Sequence, residues 1–284
     1  MMGVSIAEVL AVFLGSYLVG WLLLEDLVMA EAALLGWSYI SGSLLILIPA
    51  AILLVTGRSF QSYGLTLEGW RQGLGVGMKC YLIRLAPLGT LLAMHRLGYM
   101  YTEPVASAAI SVAQIAAIII FLRWIGEKPL SEEGNPRQDL AIMVGLLAFP
   151  VIVGYVLNRL SLHVVSTVAW QFLFSGFGEE ILYRGYYQSR VNEEFGRPWI
   201  LMGVRFGPGL LVSSALFALS HALNTFNPFR GRYTLSWGWA LFTFFGGLFL
   251  GLVREKTGSV VAPGIAHGLP DAVGEAFARI LGMW

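Results

Sequence analysis

The chain has 284 residues, of which 57% are hydrophobic and only 12% are charged, and its formal net charge is +1. Soluble domains carry about 25% charged residues, so this composition excludes an ordinary soluble domain and indicates a membrane protein. The small net charge gives no reason to expect a nucleic-acid partner. The single cysteine, Cys80, excludes an internal disulfide framework.

Apolar runs recur along the chain, and most are long enough to cross the hydrocarbon core as a helix. No Ala-x-Ala-like cleavage site follows the first run, so we expect it to be retained. We therefore predict an all-α, polytopic membrane protein with about eight or nine transmembrane helices. The predicted spans lie near Val4–Leu24, Leu35–Val55, Leu74–Met94, Val105–Leu122, Leu140–Leu157, Ser166–Gln188, Gly207–Leu223, Ser236–Val253 and Val260–Leu281.

The chain shows no internal repeat and no soluble domain, so we predict one membrane domain over residues 1–284. Its most polar connector, Gly126–Asp139, separates helices in residues 1–125 from helices in residues 139–284. Lysine and arginine are concentrated in one alternating set of loops, which favours a cytoplasmic N-terminus. Arg230 and Arg232 are the main exception. We expect a multi-pass protein of a prokaryotic cell membrane.

Ionisable residues are rare inside membrane spans and are a functional hypothesis by default. Here they gather in the last four spans, as Glu179, Glu180, Arg184, His221, His267, Asp271 and Glu275. Of these, His221 is predicted to lie several residues deeper than the others, so it fits a shared site least well. Their occurrence in three segments favours one polar site inside the membrane.

The stretch GFGEEILYRG, from Gly176 to Gly185, predicts a division of roles between its two glutamates. Glu180 and Arg184 are four residues apart, in the acid-before-base order that favours pairing on one helix face. Glu179 points about 100° away from Glu180, with Tyr183 next on its own face. We expect Arg184 to neutralise Glu180 and Glu179 to remain available as a general base.

In the last span, His267 and Asp271 are also four residues apart, and Glu275 extends their stripe by one turn. Pro270 removes a backbone hydrogen bond and predicts a bend there. Each polar group also has a non-catalytic explanation. These are a register-fixing pair for Glu180 and Arg184, snorkelling for Glu179, a hydrogen bond to Asn224 for His221, and a structural cap for His267 and Asp271.

A free carboxylate with two histidines suits hydrolysis, in which water loses a proton as it attacks a carbonyl and the oxyanion needs donors. A serine enzyme fits less well, because Leu173 stands where a Gly-x-Ser-Gly setting for Ser175 needs glycine. Asp271 is the single aspartate in the predicted spans, against the two of an aspartyl enzyme. Cys80 has no histidine nearby in sequence, which is weak support against a thiol enzyme.

A zinc enzyme remains an alternative, because one glutamate and two histidines can form a His₂Glu ligand set. Glu179, His221 and His267 would supply it. The sequence has no His-Glu-x-x-His helix, which weakens this alternative.

Three motifs in this order resemble the CAAX prenyl endopeptidase and bacteriocin-processing (CPBP, ABI) family of membrane proteins. EEILYR, Glu179–Arg184, is similar to its Glu-Glu-x-x-x-Arg motif. FALSH, Phe217–His221, is similar to Phe-x-x-x-His, and HGLPD, His267–Asp271, to His-x-x-x-Asn/Asp. The resemblance covers roughly Val165 to Gly274.

The resemblance implies a glutamate-dependent intramembrane endopeptidase that requires no metal or other cofactor. Glu179 would activate water, His221 would help to hold it, and His267 with Asp271 would stabilise the oxyanion. Glu180, Arg184 and Tyr183 would support the site.

CAAX endopeptidases carry Asn where this chain has Asp271. An ionised aspartate repels an oxyanion, so Asp271 must be protonated or must orient a protonated His267. This departure weakens the inference of a prenylated substrate more than the inference of a protease.

We therefore expect a membrane peptide or protein substrate, lipid-modified or not, that is cut in or near the bilayer. The rival functions are a zinc-dependent hydrolase using the same residues, a non-catalytic immunity or scaffold protein, and a proton-coupled transporter. The sequence leaves the oligomeric state undetermined.

Overall fold

The computed structural model describes residues 3–130 and 135–283, so residues 131–134 of the predicted polar connector lie outside the described residues. Within the described residues the chain forms nine long helices, numbered α1 to α9, and one short 3₁₀-helix, Pro228–Arg230. The nine long helices are Val4–Leu35, Tyr39–Thr56, Trp70–Arg96, Pro104–Gly126, Pro136–Val156, 162–195, Pro208–Leu223, Trp237–Thr257 and Val261–Leu281. Two short antiparallel hairpins flank α7. They are β1 (Trp199–Leu201) with β2 (Val204–Phe206), and β3 (Phe226–Asn227) with β4 (Arg232–Tyr233).

The helices confirm an all-α, polytopic membrane protein. Six of those described, α1 to α5 and α8, are long and apolar enough to cross a membrane. The other three differ for identifiable reasons. α7 has only 16 residues, whereas α6 and α9 carry the charged residues that the sequence singles out.

The first helix is longer than the sequence predicts. Instead of ending near Leu24, it continues through a π-helical turn, Gly20–Leu24, and ends at Leu35. Gly36 follows with a φ of 84°, a left-handed conformation that glycine adopts without a steric penalty and that commonly ends helices. Ser38 then caps α2 by accepting a hydrogen bond from the Ser41 N–H.

The sixth helix departs from the plain α-helix expected from its sequence. It begins as an α-helix over Leu162–Trp170 and ends as one over Ser189–Phe195. Between them it is π-helical over Gln171–Gly178 and Ile181–Gln188, on either side of the two glutamates. A π-helical turn has i→i+5 hydrogen bonds and is found frequently at functional sites.

Glycine contacts bring α6 and α9 together at the level of the polar residues. A Cβ on Gly176 would lie 2.6 Å from the Cα of Gly268 and 2.9 Å from the carbonyl oxygen of Gly264. The two backbones therefore touch. Small residues allow this close approach between membrane helices, and it places the glutamates of α6 beside the histidine of α9.

α3 of the N-terminal half and α8 of the C-terminal half pack on the helices that carry the polar residues. α3 runs along α9, where a Cβ on Gly77 would lie 2.9 Å from the Cβ of Ile265. α8 packs on α7, where a Cβ on Gly247 would lie 3.1 Å from the Cβ of Ser214. The polar segments thus lie within packed helices, with α3 and α8 on either side.

Charged clusters fasten the two ends of the bundle. At one end, Arg58 and Arg190 contact Glu8, and the Tyr186 hydroxyl donates to the same carboxylate. At the other end, the hairpin β3–β4 is tied to α1. There Arg232 and Asn227 contact Glu25, and Arg230 contacts Asp26. The two arginines that oppose the predicted orientation are therefore neutralised locally, and the orientation itself stays a prediction.

Candidate active site

The polar residues predicted from sequence lie on three neighbouring helices. α6 supplies Glu179, Glu180 and Arg184, α7 supplies His221, and α9 supplies His267 and Asp271. The side chains from α6 and α9 meet directly, whereas His221 joins them through an aromatic contact. The structure therefore brings the three motifs together at one place.

Glu180 and Arg184 form a fully buried ion pair. The Arg184 Nη1 donates to the Glu180 Oε1 over 2.8 Å, and both side chains have 0% exposure. A second donor, Nη2, lies 3.3 Å from the carbonyl oxygen of Gly247 on α8. The guanidinium also lies 4.3 Å from the centroid of the Phe217 ring. Three helices therefore hold this arginine in place.

His267 has a carboxylate at each ring nitrogen. Its Nδ1 is 2.9 Å from the Glu180 Oε1, and because the carboxylate is an acceptor, Nδ1 is the donor. On the other side, Nε2 lies 3.4 Å from the Asp271 Oδ2 and 3.8 Å from the Glu179 Oε2. These two distances are long for hydrogen bonds. Nδ1 therefore makes a hydrogen bond of normal length, whereas Nε2 does not.

Glu179 differs from its neighbour in exposure and in partners. Its side chain is 18% exposed, against 0% for Glu180. Its Oε2 is buried and accepts no hydrogen bond from the described residues. Glu180 is thus paired with Arg184, whereas the Oε2 of Glu179 has no hydrogen-bond partner among the described residues.

His221 is held by the carbonyl of its own motif. Its Nδ1 lies 2.8 Å from the Phe217 carbonyl oxygen, which can only accept, so Nδ1 donates and Nε2 is left as the acceptor nitrogen. The alternative partner considered from sequence, Asn224, does not receive this bond. The imidazole also packs against Trp239 of α8, with 5.1 Å between ring centroids.

Phe217 is the residue whose importance sequence reasoning missed. Its ring contacts both imidazoles, at centroid distances of 4.5 Å to His221 and 5.7 Å to His267. It also packs on Tyr183 and beneath Arg184. The motif Phe-x-x-x-His indicates this contact, because residues four positions apart in a helix lie on the same face.

Tyr183 and Ser175 take positions that the sequence left open. Tyr183 is buried, and its ring packs edge-on against Phe217 and Tyr187. The Ser175 hydroxyl donates to the Asp271 Oδ2 over 3.3 Å. Ser175 therefore belongs to the site as a partner of Asp271, outside the serine-enzyme setting in which the sequence considered it.

The predicted zinc ligands do not converge in this structure. Among residues 3–130 and 135–283, no three His, Cys, Asp or Glu side chains are arranged so that they could hold a metal ion. Glu179 and His267 approach each other, whereas the first contacts of His221 are aromatic rings and its own backbone.

The helices and the buried Glu/His cluster define a polytopic membrane protein with a polar site inside its helical bundle. Residues 161–273 match the family model of the type II CAAX prenyl endopeptidases, described as Rce1-like. This match spans about two-fifths of the chain and contains all three motifs. It confirms the resemblance drawn from them and supports, at family level, a CAAX-protease-like membrane endopeptidase. The chain matches no curated protein and no solved structure.

Proposed function

We propose that the protein is an intramembrane endopeptidase that hydrolyses a peptide bond with water activated by Glu179. The observation that carries the proposal is the free acceptor Oε2 of Glu179, buried beside His267 while Arg184 neutralises the adjacent Glu180. A general base must have an acceptor within reach of the proton that it removes. The family match of residues 161–273 supports the same reaction class.

In the first proposed step, Glu179 removes a proton from water, and the water oxygen forms a bond with the carbonyl carbon of the substrate. The Nε2 of His221 is an acceptor nitrogen, which suits a second contact to the same water. In the second step the carbon–nitrogen bond breaks. Glu179 then returns its proton to the departing amine, so that the enzyme ends in its starting state.

His267 is the proposed donor to the oxyanion. The pair Glu180–Arg184 fixes the ring through Nδ1, which aims the Nε2 side at the region between Glu179 and Asp271. Because both contacts of Nε2 are long, an Nε2–H remains able to donate to a developing negative charge. The buried ion pair thus acts on the reaction through the orientation of His267.

Asp271 acts as a positioning residue in this proposal. Its Oδ2 accepts a hydrogen bond from the Ser175 hydroxyl and lies 3.4 Å from the Nε2 of His267, where an ionised carboxylate favours a protonated imidazole without capturing the Nε2–H. This arrangement favours the second of the two roles inferred from the sequence, in which the aspartate orients a protonated histidine. Ser175 holds the carboxylate at the same oxygen that faces His267.

The proposed substrate is a membrane-inserted or lipid-anchored peptide or protein segment. The proposed catalytic groups lie within the helical bundle, which suits a substrate that is held in or at the bilayer. The family match names prenyl endopeptidases, and a prenylated peptide is therefore a reasonable first probe.

Cleavage of such a probe by the purified protein tests the proposal. We expect Glu179→Gln to abolish cleavage and Glu193→Gln, a change on the same helix outside the site, to retain it. Activity of the wild type should survive a strong chelator. Loss on chelation would favour the zinc-dependent hydrolase, and cleavage by Glu179→Gln would refute the assignment of the base. A protein that binds but never cuts would point to a scaffold or transporter.

A further inference from the structure

His221 lies in the last turn of α7, where a helix cannot satisfy its own backbone. α7 ends at Leu223, and the carbonyl oxygens of the last four residues of a helix have no N–H partner within that helix. The position of His221 therefore depends on the groups outside α7 that hold the carbonyls of this turn.

Two of these carbonyls accept hydrogen bonds from neighbouring elements. The Tyr17 hydroxyl of α1 donates to the Ser220 carbonyl oxygen over 3.2 Å. The Ser236 N–H, directly before α8, donates to the Ala222 carbonyl oxygen over 3.0 Å. The chain is thus held from outside at the residue before His221 and at the residue after it.

Ser220 is also linked to the imidazole of His221 through a shared acceptor. The Ser220 Oγ donates to the Phe217 carbonyl oxygen over 2.7 Å, and the His221 Nδ1 donates to the same oxygen over 2.8 Å. A change in the position of Ser220 therefore changes the surroundings of the one hydrogen bond that fixes the ring. Through Ser220, the Tyr17 hydroxyl acts on the orientation of the His221 Nε2.

The ring of Tyr17 is itself fixed, so its hydroxyl has a defined direction. Phe13, Tyr17 and Trp21 follow at intervals of four residues on one face of α1, with 5.0 and 5.3 Å between successive ring centroids. Trp21 extends this row to Phe226 of the hairpin β3–β4, at 5.6 Å. A buried tyrosine hydroxyl usually has a hydrogen-bond partner, and here the Ser220 carbonyl is that partner.

Tyr17 borders the candidate site although it lies outside the matched domain. It packs against the apolar cluster that contains Tyr183 and Phe217, and its hydroxyl interacts electrostatically with Glu179. The family match covers residues 161–273 and so includes no residue of α1. The three motifs therefore give no indication that this helix contributes to the site.

We propose that Tyr17 is a positioning residue for His221. This inference rests on the proposed peptidase function, in which the His221 Nε2 contacts the attacking water. The hydroxyl holds the turn that carries His221, so that Nε2 has its reactive orientation before a substrate binds. Loss of the hydroxyl leaves the Ser220 carbonyl without this donor, and the turn and the imidazole gain freedom to move. Small misplacements of groups that orient reactants have large effects on rate.

The first test reads the imidazole directly and does not depend on cleavage. Tyr17→Phe removes the hydroxyl and keeps the ring contacts. ¹⁵N NMR of histidine-labelled protein in phosphatidylcholine nanodiscs reports both ring nitrogens, and the His221 signals are those lost in His221→Asn. We expect the wild type to show a protonated Nδ1 and an unprotonated Nε2. In Tyr17→Phe the two signals should move toward each other, because the freed ring exchanges between its tautomers.

The second test measures cleavage of a prenylated peptide by the same proteins. The kcat of Tyr17→Phe should fall at least about tenfold, because the hydroxyl acts on the group that holds the water. The KM should stay within about twofold of the wild-type value, since Tyr17 makes no proposed contact with the substrate.

Tyr39→Phe is the matched control. Tyr39 of α2 also directs its hydroxyl at a helix carbonyl, that of Ser166, over 3.3 Å, and its ring also packs on a phenylalanine, Phe174. This variant should keep the wild-type His221 signals and the wild-type kcat. Each variant loses one hydrogen bond of a hydroxyl, so both should unfold within about 4 °C of the wild type.

Unchanged His221 signals in Tyr17→Phe, an unchanged kcat, or equal effects of Tyr17→Phe and Tyr39→Phe would each overturn the proposal. Unfolding of Tyr17→Phe far below Tyr39→Phe would also overturn it, because the hydroxyl would then serve folding alone. The two proposals fail separately. A wild type that cuts no peptide, with the expected change of the His221 signals in Tyr17→Phe, refutes the peptidase and supports the positioning. Normal cleavage with unchanged signals does the reverse.

Discussion

At the scale of single residues, the site depends on the buried ion pair Glu180–Arg184 and on Glu179, whose Oε2 accepts no hydrogen bond from the described residues. Arg184 neutralises Glu180 with no exposure of either side chain, and Glu180 in turn fixes His267. Removing one partner of a buried pair leaves an uncompensated charge, whereas replacing both partners leaves none. The pair therefore contributes to the stability of the protein as well as to the proposed catalysis.

The variant Arg184→Met tests this dependence. It leaves Glu180 buried without its cation and should lower the free energy of unfolding by about 3–5 kcal/mol. The double variant Glu180→Gln/Arg184→Met should be more stable than Arg184→Met, because no unpaired charge remains. Thermal unfolding in nanodiscs measures both. The account would be contradicted if the double variant lost as much stability as the Glu180→Gln and Arg184→Met variants lose together.

At the scale of helices, the geometry of the site depends on the contact between α6 and α9. Gly176 touches the backbone of Gly268, and Glu179 follows it by three residues on α6. The π-helical turns on either side of the glutamates add residues to the turn without breaking the helix. Packing of α6 and the identity of its glycines thus decide where the carboxylates point.

Substitution of Gly176 by alanine tests this contact. The new Cβ would lie 2.6 Å from the Cα of Gly268, and backbone atoms cannot give way as a side-chain end can. We expect a loss of about 1–3 kcal/mol in stability, as for overpacked cores, together with loss of peptidase activity. Gly145→Ala on α5 is the control, because its Cβ meets no heavy atom within 4 Å. Equal losses of stability and activity in Gly176→Ala and Gly145→Ala would contradict the account.

Sequence reasoning located the charged residues and the Glu180–Arg184 pair because both follow from local spacing and from the rarity of charge in membranes. It could not reach the contacts that depend on how helices meet. The hydrogen bond between Ser175 and Asp271 and the central position of Phe217 are of this kind. The π-helical turns were also missed, because the apolar residues that form them are equally compatible with an α-helix.

At the scale of the whole molecule, we propose that residues 1–284 work as one membrane domain. Helices of both halves share contacts, since α3 packs along α9 and Glu8 of α1 contacts Arg190 of α6. The N-terminal helices would therefore be needed for the stability of the helices that carry the site.

The cytoplasmic orientation of the N-terminus predicts a labelling pattern. Cys80 is buried and should react slowly, so single cysteines can be added at exposed positions on either end. A membrane-impermeant maleimide should label Thr234→Cys in intact cells and Ser62→Cys only after permeabilisation. Both positions are exposed in the structure. The reversed pattern would refute the orientation.

The role of Glu179 is the central claim, and comparing kcat with substrate binding in the Glu179→Gln protein tests it most directly. Loss of a general base should lower kcat by about a hundredfold to ten-thousandfold. The Kd for an uncleaved peptide should stay within about twofold of the wild-type value, since the amide conserves the shape of the side chain. A wild-type kcat would contradict the account. So would a loss of activity that follows weaker binding alone.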